Sequence, residues 1–262
     1  MPRFDYTASD IRKSFLDAGL KAGDHMFTHS NIGFFGRLEG ARKPEEYYQT
    51  FKDVLLDILG PEGTLIAPTF SYTFCHNKFF DVEETEGVCG AFSEMLRKDS
   101  DSIRSADPNF SVAAIGRLAE YFTEKPTEHS FGKGSFFDRF LEKDGKFVNM
   151  NRDSGSTFVH YVEKQLKVPY RYDKFFPGTL NDHGEQRKQT FVHFVTDYDK
   201  PDNGPCFTKL DALSKEKGTT TTANLGKGQI VYISARNTWN LIEDGLKTNP
   251  ALLVKGDEVD LS

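Results

Sequence analysis

Apolar residues recur along the chain in two alternating rhythms, one of helical period and one of short compact runs. From Thr7 to Leu20 the apolar positions Ile11, Phe15, Leu16 and Leu20 share one face behind a capping Thr, and Gly23-Asp24 closes the segment. A helix is predicted there, followed by a short strand from His25 to His29. Glu45 to Leu59 repeats the helical period through Tyr48, Phe51, Leu55, Ile58 and Leu59, and Gly60-Pro61-Glu62-Gly63 turns it into the strand Thr64 to Pro68.

The alternation continues. Helices are predicted near Gly90 to Lys98, Arg117 to Thr123 and Phe136 to Glu142, with a strand at Lys146 to Met150. A further helix starts at Ser156 or Thr157, strands follow at Thr190 to Val195 and Gln229 to Ser234, and a terminal helix runs from Asn237 to Leu246. Such alternation is the mark of a layered α/β domain. Asp197 to Lys217, with Pro201, Gly204 and Pro205 ahead of a short helix, reads as an insertion at one edge. No repeat, low-complexity tract or linker divides the chain, so residues 1–262 are expected to form a single domain.

Composition narrows the class of partner. With 37% hydrophobic and 13% aromatic residues the chain can build a sizeable core, and no run approaches the length of a membrane span. Met-Pro-Arg-Phe-Asp-Tyr lacks the apolar region of a signal peptide, so a cytoplasmic location is expected. The net charge of −6, with scattered basic residues, argues against a nucleic-acid surface. Cys75, Cys89 and Cys206 are widely spaced and include no Cys-x-x-Cys pair, which predicts free thiols rather than disulfides or a zinc knuckle.

Several chemistries lack their residues. Neither Gly-x-Gly-x-x-Gly nor a P-loop occurs; Gly33-Phe34-Phe35-Gly36 and Gly132-Lys133-Gly134-Ser135 have the wrong spacing, although the second could offer backbone donors ahead of a helix. His25 and His29 share a strand face without a third ligand nearby, so no metal is expected. There is no Gly-x-Ser-x-Gly elbow, and Cys75-His76 as sequence neighbours do not make a nucleophile–base pair.

One local pair stands out. Among 7 histidines, only His160 has an acid three residues on, in Ser156-Thr157-Phe158-Val159-His160-Tyr161-Val162-Glu163. On a helix that spacing lets Glu163 orient and charge-support the imidazole as a general base, and a helix start beside it supplies N–H donors for an oxyanion. The same spacing also suits a surface histidine with Glu163 paired to Lys167.

Taken in order, Thr28-His29-Ser30-Asn31-Ile32-Gly33-Phe34-Phe35-Gly36, Gly60-Pro61-Glu62-Gly63-Thr64-Leu65-Ile66-Ala67-Pro68-Thr69-Phe70-Ser71, the stretch Arg104-Ser105-Ala106-Asp107-Pro108-Asn109-Phe110-Ser111, and the His160 segment resemble the aminoglycoside 3-N-acetyltransferase family. The resemblance spans roughly residues 7 to 180. It implies an α/β/α layered domain with a central mixed sheet, of the antibiotic N-acetyltransferase type, and an acyl-CoA donor with an amine acceptor. It assigns His160 as base and Glu163 as its partner; by position at the helix start, Thr157 or its N–H is the expected donor to the oxyanion. It also implies that His29, Ser30, Asn31, Gly33, Arg37, Arg104, Ser105 and Ser111 line the acyl-CoA cleft, Arg37 and Arg104 suiting its phosphates.

The chain departs from the family pattern in two places. Asp107 stands where relatives commonly have His, and Phe136 follows Ser135 where they have Pro. Two acceptors remain open. A polycationic aminoglycoside would suit the acidic run Asp81, Glu83, Glu84 and Glu86, whereas a nucleotide-linked amino sugar, as used in surface-polysaccharide assembly, would suit an aromatic platform of Tyr72, Phe74 and Phe79 with Phe80, beside Lys78. The second acceptor is the expectation carried forward. Partners are then the two small molecules, with no membrane or nucleic acid and a homodimer left open.

Overall fold

A computed structural model describes residues 4–124, 127–200 and 202–259. Met1 to Arg3 of the amino-terminal reading, and Pro201 of the predicted edge insertion, lie outside the described residues.

The first half lays helices and strands down alternately. Helix α1 (Ala8–Ala18) is opened by Thr7, whose hydroxyl accepts from the Asp10 N–H while the Asp10 carboxylate accepts from the Thr7 N–H; Gly19, at φ 113°, closes it. Strand β1 (His25–Phe27), helix α2 (Pro44–Leu59) and strand β2 (Thr64–Pro68) follow, then β3 (Phe80–Asp81), α3 (Ala91–Lys98), β4 (Ile103–Arg104), β5 (Val112–Gly116) and α4 (Ala119–Thr123). The second half adds α5 (Phe136–Glu142), β6 (Lys146–Met150), α6 (Phe158–Leu166), the long strands β7 (Arg171–Asp182) and β8 (Glu185–Thr196), α7 (Thr208–Glu216), β9 (Thr221–Leu225), β10 (Gly228–Ser234) and α8 (Ala235–Thr248).

Seven strands form one sheet in the order β4-β5-β2-β1-β6-β10-β9. The central β2, β1 and β6 run parallel, and both flanks are antiparallel, so the sheet is mixed. Its period of two divides the core. Phe27, Ile66, Val112, Ala114 and Phe147 point to the layer of α4, α5, α6 and α8, whereas Met26, Leu65, Ala113, Ile115 and Val148 point to the layer of α1, α2 and α3. Because both faces are covered, β2 is buried at every position. The α/β/α fold with a central mixed sheet is the one the resemblance implies.

A second, three-stranded sheet stands beside it in the order β3-β7-β8. Strands β7 and β8 pair along their full length around His183-Gly184, both at positive φ, the geometry a two-residue hairpin turn requires. Gly178 on β7 lies so close to Phe74 that a Cβ there would sit 2.5 Å from the ring.

The segment expected to be an edge insertion is integral to the molecule. Leu210 of α7 belongs to the main core, and α7 packs on α8. No helix among the described residues is long and apolar enough to cross a membrane.

Candidate active site

The loop before α6 is drawn into place by Asn149, at 0% exposure, whose Nδ2 donates to the carbonyls of Asp153 and Gly155. Thr157 occupies the cap position of α6 with helical backbone angles and makes no side-chain capping bond, so its side chain remains available. One turn on, His160 Nδ1 lies 2.7 Å from Glu163 Oε2. A carboxylate only accepts, so the Nδ1 proton points to Glu163 and Nε2 is left as the acceptor on the far side of the ring.

Glu163 is fully buried, and its partner is Arg171 rather than Lys167: Arg171 Nε approaches the same Oε2 at 2.7 Å. This contact is one of charge, since the Nε–H is not aligned for a hydrogen bond. Arg171 Nη1 donates to the carbonyl of Phe194 at 3.1 Å. Burial lowers the His160 pKa, Arg171 lowers it further, and together they outweigh the hydrogen bond and charge of Glu163. His160 is thereby a neutral imidazole at physiological pH.

His160 and Thr157 open onto one cleft of about 290 Å³, walled by Tyr72, Phe110, Phe131 and Phe194 and rimmed by Tyr198. The imidazole stands between Phe131 and Phe207, each with its ring centroid 5.9 Å away. The predicted edge insertion therefore supplies part of the site through Tyr198, Pro205 and Phe207. His193 shares the cleft, with Nε2 2.9 Å from Asn109 Nδ2 and Nδ1 3.8 Å from Cys75 Sγ. Burial pushes the Cys75 thiol up to about 11 and His193 down to about 3.

The residues expected to line the acyl-CoA cleft separate into three groups. His29 and Ser30 follow β1 at the carboxyl ends of the parallel strands; His29 Nε2 and Ser30 Oγ are buried without a partner, as are Thr28 Oγ1 beside them in the chain and Ser156 Oγ in the loop before α6. The His29 ring reaches the cleft walls through Phe70, which contacts both Tyr72 and Phe110. Buried polar atoms without partners are what a ligand bearing amides and a thioester carbonyl would satisfy, so this corner fits the acyl arm of acyl-CoA. Burial holds His29 near about 4, as a neutral ring. Asn31 and Gly33 lie farther along: the Asn31 N–H donates to the Met150 carbonyl, and Gly33 sits in an exposed 3₁₀ turn.

The third group has other duties. Arg104 as a phosphate ligand is corrected: its guanidinium is buried and donates to Thr69 and Ser111 hydroxyls and to the carbonyls of Thr69, Val82 and Thr85. Ser111 Oγ donates to the Thr69 carbonyl, and Ser105 Oγ accepts from the Val112 N–H, so both hold the sheet edge. Arg37 is an exposed side chain near Asp5, away from the cleft.

The aromatic platform is not assembled either. Of its members only Tyr72 lines the cleft; Phe74 and Phe80 are buried in a satellite core with Phe191, and Lys78 and Phe79 face solvent. The acidic run lies off the cleft as well, Asp81 accepting from Asn181 and from the N–H groups of Glu83 and Glu84. In the glycine loop, Gly134 N–H is taken by Asp138 and Ser135 caps α5. Asp107 accepts from the N–H groups of Asn109 and Phe110 and from Ser130, and so shapes the loop that carries Phe110 of the cleft wall and Asn109, the partner of His193.

Arg171, His193, Asn109, Phe131 and Phe207 were not read as site residues from the sequence. No local pattern marked them; Arg171 is brought back to Glu163 by a strand rather than by a continuing helix.

Comparison with known proteins agrees with the fold. The family model for aminoglycoside 3-N-acetyltransferases matches residues 27–247. Aminoglycoside N(3)-acetyltransferase III of Acinetobacter baumannii is 27% identical over 233 residues, covering 79% of this chain and 78% of its own. Aminoglycoside N(3)-acetyltransferase IX of Micromonospora chalcea is 28% identical over 183 residues, covering 62% and 63%. Among solved structures, aminoglycoside acetyltransferase AAC(3)-Xa superposes with a TM-score of 0.79 at 21% identity over 92% of each chain. AAC-IIIb in binary complex with CoASH gives 0.77 at 21% identity over 92% of this chain and 97% of its own.

The class is that of acyl-CoA-dependent N-acyltransferases, with acetyl-CoA as co-substrate. Within it, the chain belongs to the aminoglycoside 3-N-acetyltransferase family.

Proposed function

We propose that the protein acetylates the 3-amino group of an aminoglycoside, with His160 as general base. The observation that carries the reading is the His160–Glu163 pair, joined at 2.7 Å and open to a cleft that Thr157 also lines. The relatives' names support this acceptor over a nucleotide-linked sugar of polysaccharide assembly, and the dispersal of the aromatic platform removes the argument for the latter. Acidic residues Asp197 and Asp199 flank Tyr198 in the rim segment, which suits a cationic acceptor.

Acetyl-CoA supplies an activated acyl carbon joined to a thiol leaving group. The chain's own residues prepare the acceptor. His160 Nε2 takes the proton that the amine must lose to form its new bond to carbon, Glu163 stabilises the resulting imidazolium, and the proton passes on to the departing sulfur. Thr157 donates to the acyl oxygen as negative charge grows there. Aromatic walls exclude water from the nitrogen–carbon encounter. Transfer is direct within a ternary complex, because Cys75, the thiol lining the cleft, is held protonated.

The test is thiol release from acetyl-CoA with aminoglycosides and nucleotide-linked amino sugars in parallel, the acetylated position being read by NMR. Turnover of the nucleotide-linked sugars alone would overturn the assignment. His160→Ala should cut turnover by about 10²- to 10⁴-fold while calorimetry still finds CoA binding.

A further inference from the structure

A buried carboxylate behind an imidazole has two opposed effects. It fixes the tautomer, and it also draws a proton onto the ring, which would convert the base into an imidazolium before substrate arrives. Glu163 has no exposure at all, so solvent does nothing to moderate that pull. A compensating charge next to the carboxylate resolves the conflict.

We propose that Arg171 is a positioning residue for the base: paired to Glu163 Oε2, it holds the carboxylate behind His160 and offsets its charge, so the ring keeps Nε2 free toward the cleft. This rests on the reading of His160 as the base.

The geometry leaves Arg171 little other work. Its side chain is only 5% exposed, its Nε is 2.7 Å from the oxygen that binds His160, and its Nη1 is tied to the Phe194 carbonyl. As the first residue of β7, paired with Thr196 at the end of β8, it is fixed by the base of the long hairpin rather than by helix α6. Arg171 borders the cleft, but its Nε and Nη1 are directed at Glu163 and at the Phe194 carbonyl.

The ionisable groups facing His160 are Glu163 on its own helix, Arg171 at the start of β7 and Tyr170 just before it, His193 from β8, Cys75 from the turn after β2, and the rim phenol of Tyr198. Burial keeps His193 neutral and Cys75 protonated, and burial with the Glu163 charge keeps Tyr170 protonated. Glu163 and Arg171 are therefore the charges that decide the ring's protonation.

The experiment follows kcat/KM against pH, together with the NMR titration of the His160 ring, in wild type, Arg171→Gln and Arg171→Lys. In Arg171→Gln the acid limb and the ring titration should both move to higher pH. Turnover at about pH 6 should then fall roughly tenfold further than at about pH 8.5, with KM for either substrate within about twofold of wild type. Arg171→Lys should return both toward their wild-type positions, and Arg171→Met carries the same titration if the Gln variant fails to fold. In a Glu163→Gln background the Arg171 charge still acts on the ring, so Arg171→Gln should again move the titration to higher pH.

An even loss of activity at all pH values, with the ring titration unmoved, would reduce Arg171 to a structural tether and overturn the proposal. The titration needs no acceptor, so a wrong acceptor assignment would silence the kinetics and leave this readout intact.

Discussion

Asn109 Nδ2 donates to His193 Nε2 at 2.9 Å, and this bond decides which of two cleft imidazoles can act as a base. Asn109 Oδ1 accepts from the Cys75 N–H, so the amide cannot turn round. His193 must then carry its proton on Nδ1, directed at Cys75 Sγ, with no free lone pair for substrate. His160 has the opposite arrangement, its proton held by Glu163 and its Nε2 free.

Replacing His193 by Gln is accordingly expected to cost less than about tenfold in kcat/KM, through lost packing against Phe110 and Phe176, and to leave the acid limb of the pH profile in place. A loss as deep as that of His160→Ala, or a shifted acid limb, would make His193 the base instead.

Arg104 binds the β2–β5 edge to the strand β3 region through three carbonyls and two hydroxyls. Arg104→Ala takes the guanidinium donor from the Val82 and Thr85 carbonyls, while Thr69 and Ser111 still bond each other, and should destabilise the fold by about 3 kcal/mol in chemical denaturation. KM for acetyl-CoA should stay within about threefold of wild type, because the guanidinium does not face the cleft.

Asp107 introduces a pH dependence of stability. Burial raises its pKa above the ordinary carboxylate value, outweighing the hydrogen bonds from Phe110, Ser130 and Asn109. The folded protein thus holds this proton more tightly than the unfolded chain. Its contribution is favourable below the unfolded carboxylate pKa of about 3.9 and is lost as pH rises through the folded value. Asp107→Asn keeps an acceptor for the two backbone N–H groups and can donate to Ser130. Thermal melts should show the variant at least as stable as wild type near neutrality, with its advantage shrinking as pH falls toward about 4. An advantage that grows on acidification would contradict the assignment.

The thiols should differ in reactivity. Cys75 and Cys89 are both raised to about 11 by burial, whereas Cys206 is lowered by hydrogen bonds to Thr208. Substoichiometric iodoacetamide followed by peptide mapping should find Cys206 labelled first, and Cys75→Ser should retain turnover with no acyl-enzyme burst.

How much of the molecule could be read in advance follows from how local its determinants are. Helix α1 with its Thr7–Asp10 capping box, strand β2 behind its glycine turn, and α5 and β6 all fall where period and punctuation put them. Strand β7 escaped notice because Pro177 and Gly178 interrupt it and its side chains alternate in no simple pattern. It exists because twelve residues of β8 pair with it, a partnership invisible to any short window. The two-residue strands β3 and β4 are likewise products of their neighbours.

The sequence by itself determined the layered α/β alternation, the family, and the His160–Glu163 pair, since a separation of three residues on a helix needs nothing beyond the helix. The tertiary structure alone decided where long side chains spend their charge. Arg104 turned inward to satisfy carbonyls, Phe74 sank beneath Gly178, and Arg171 and Phe207 converged on the His160 neighbourhood from separate elements. A buried group must be paired by whatever the folded chain brings within about 3 Å, and that proximity is a property of packing rather than of spacing along the chain.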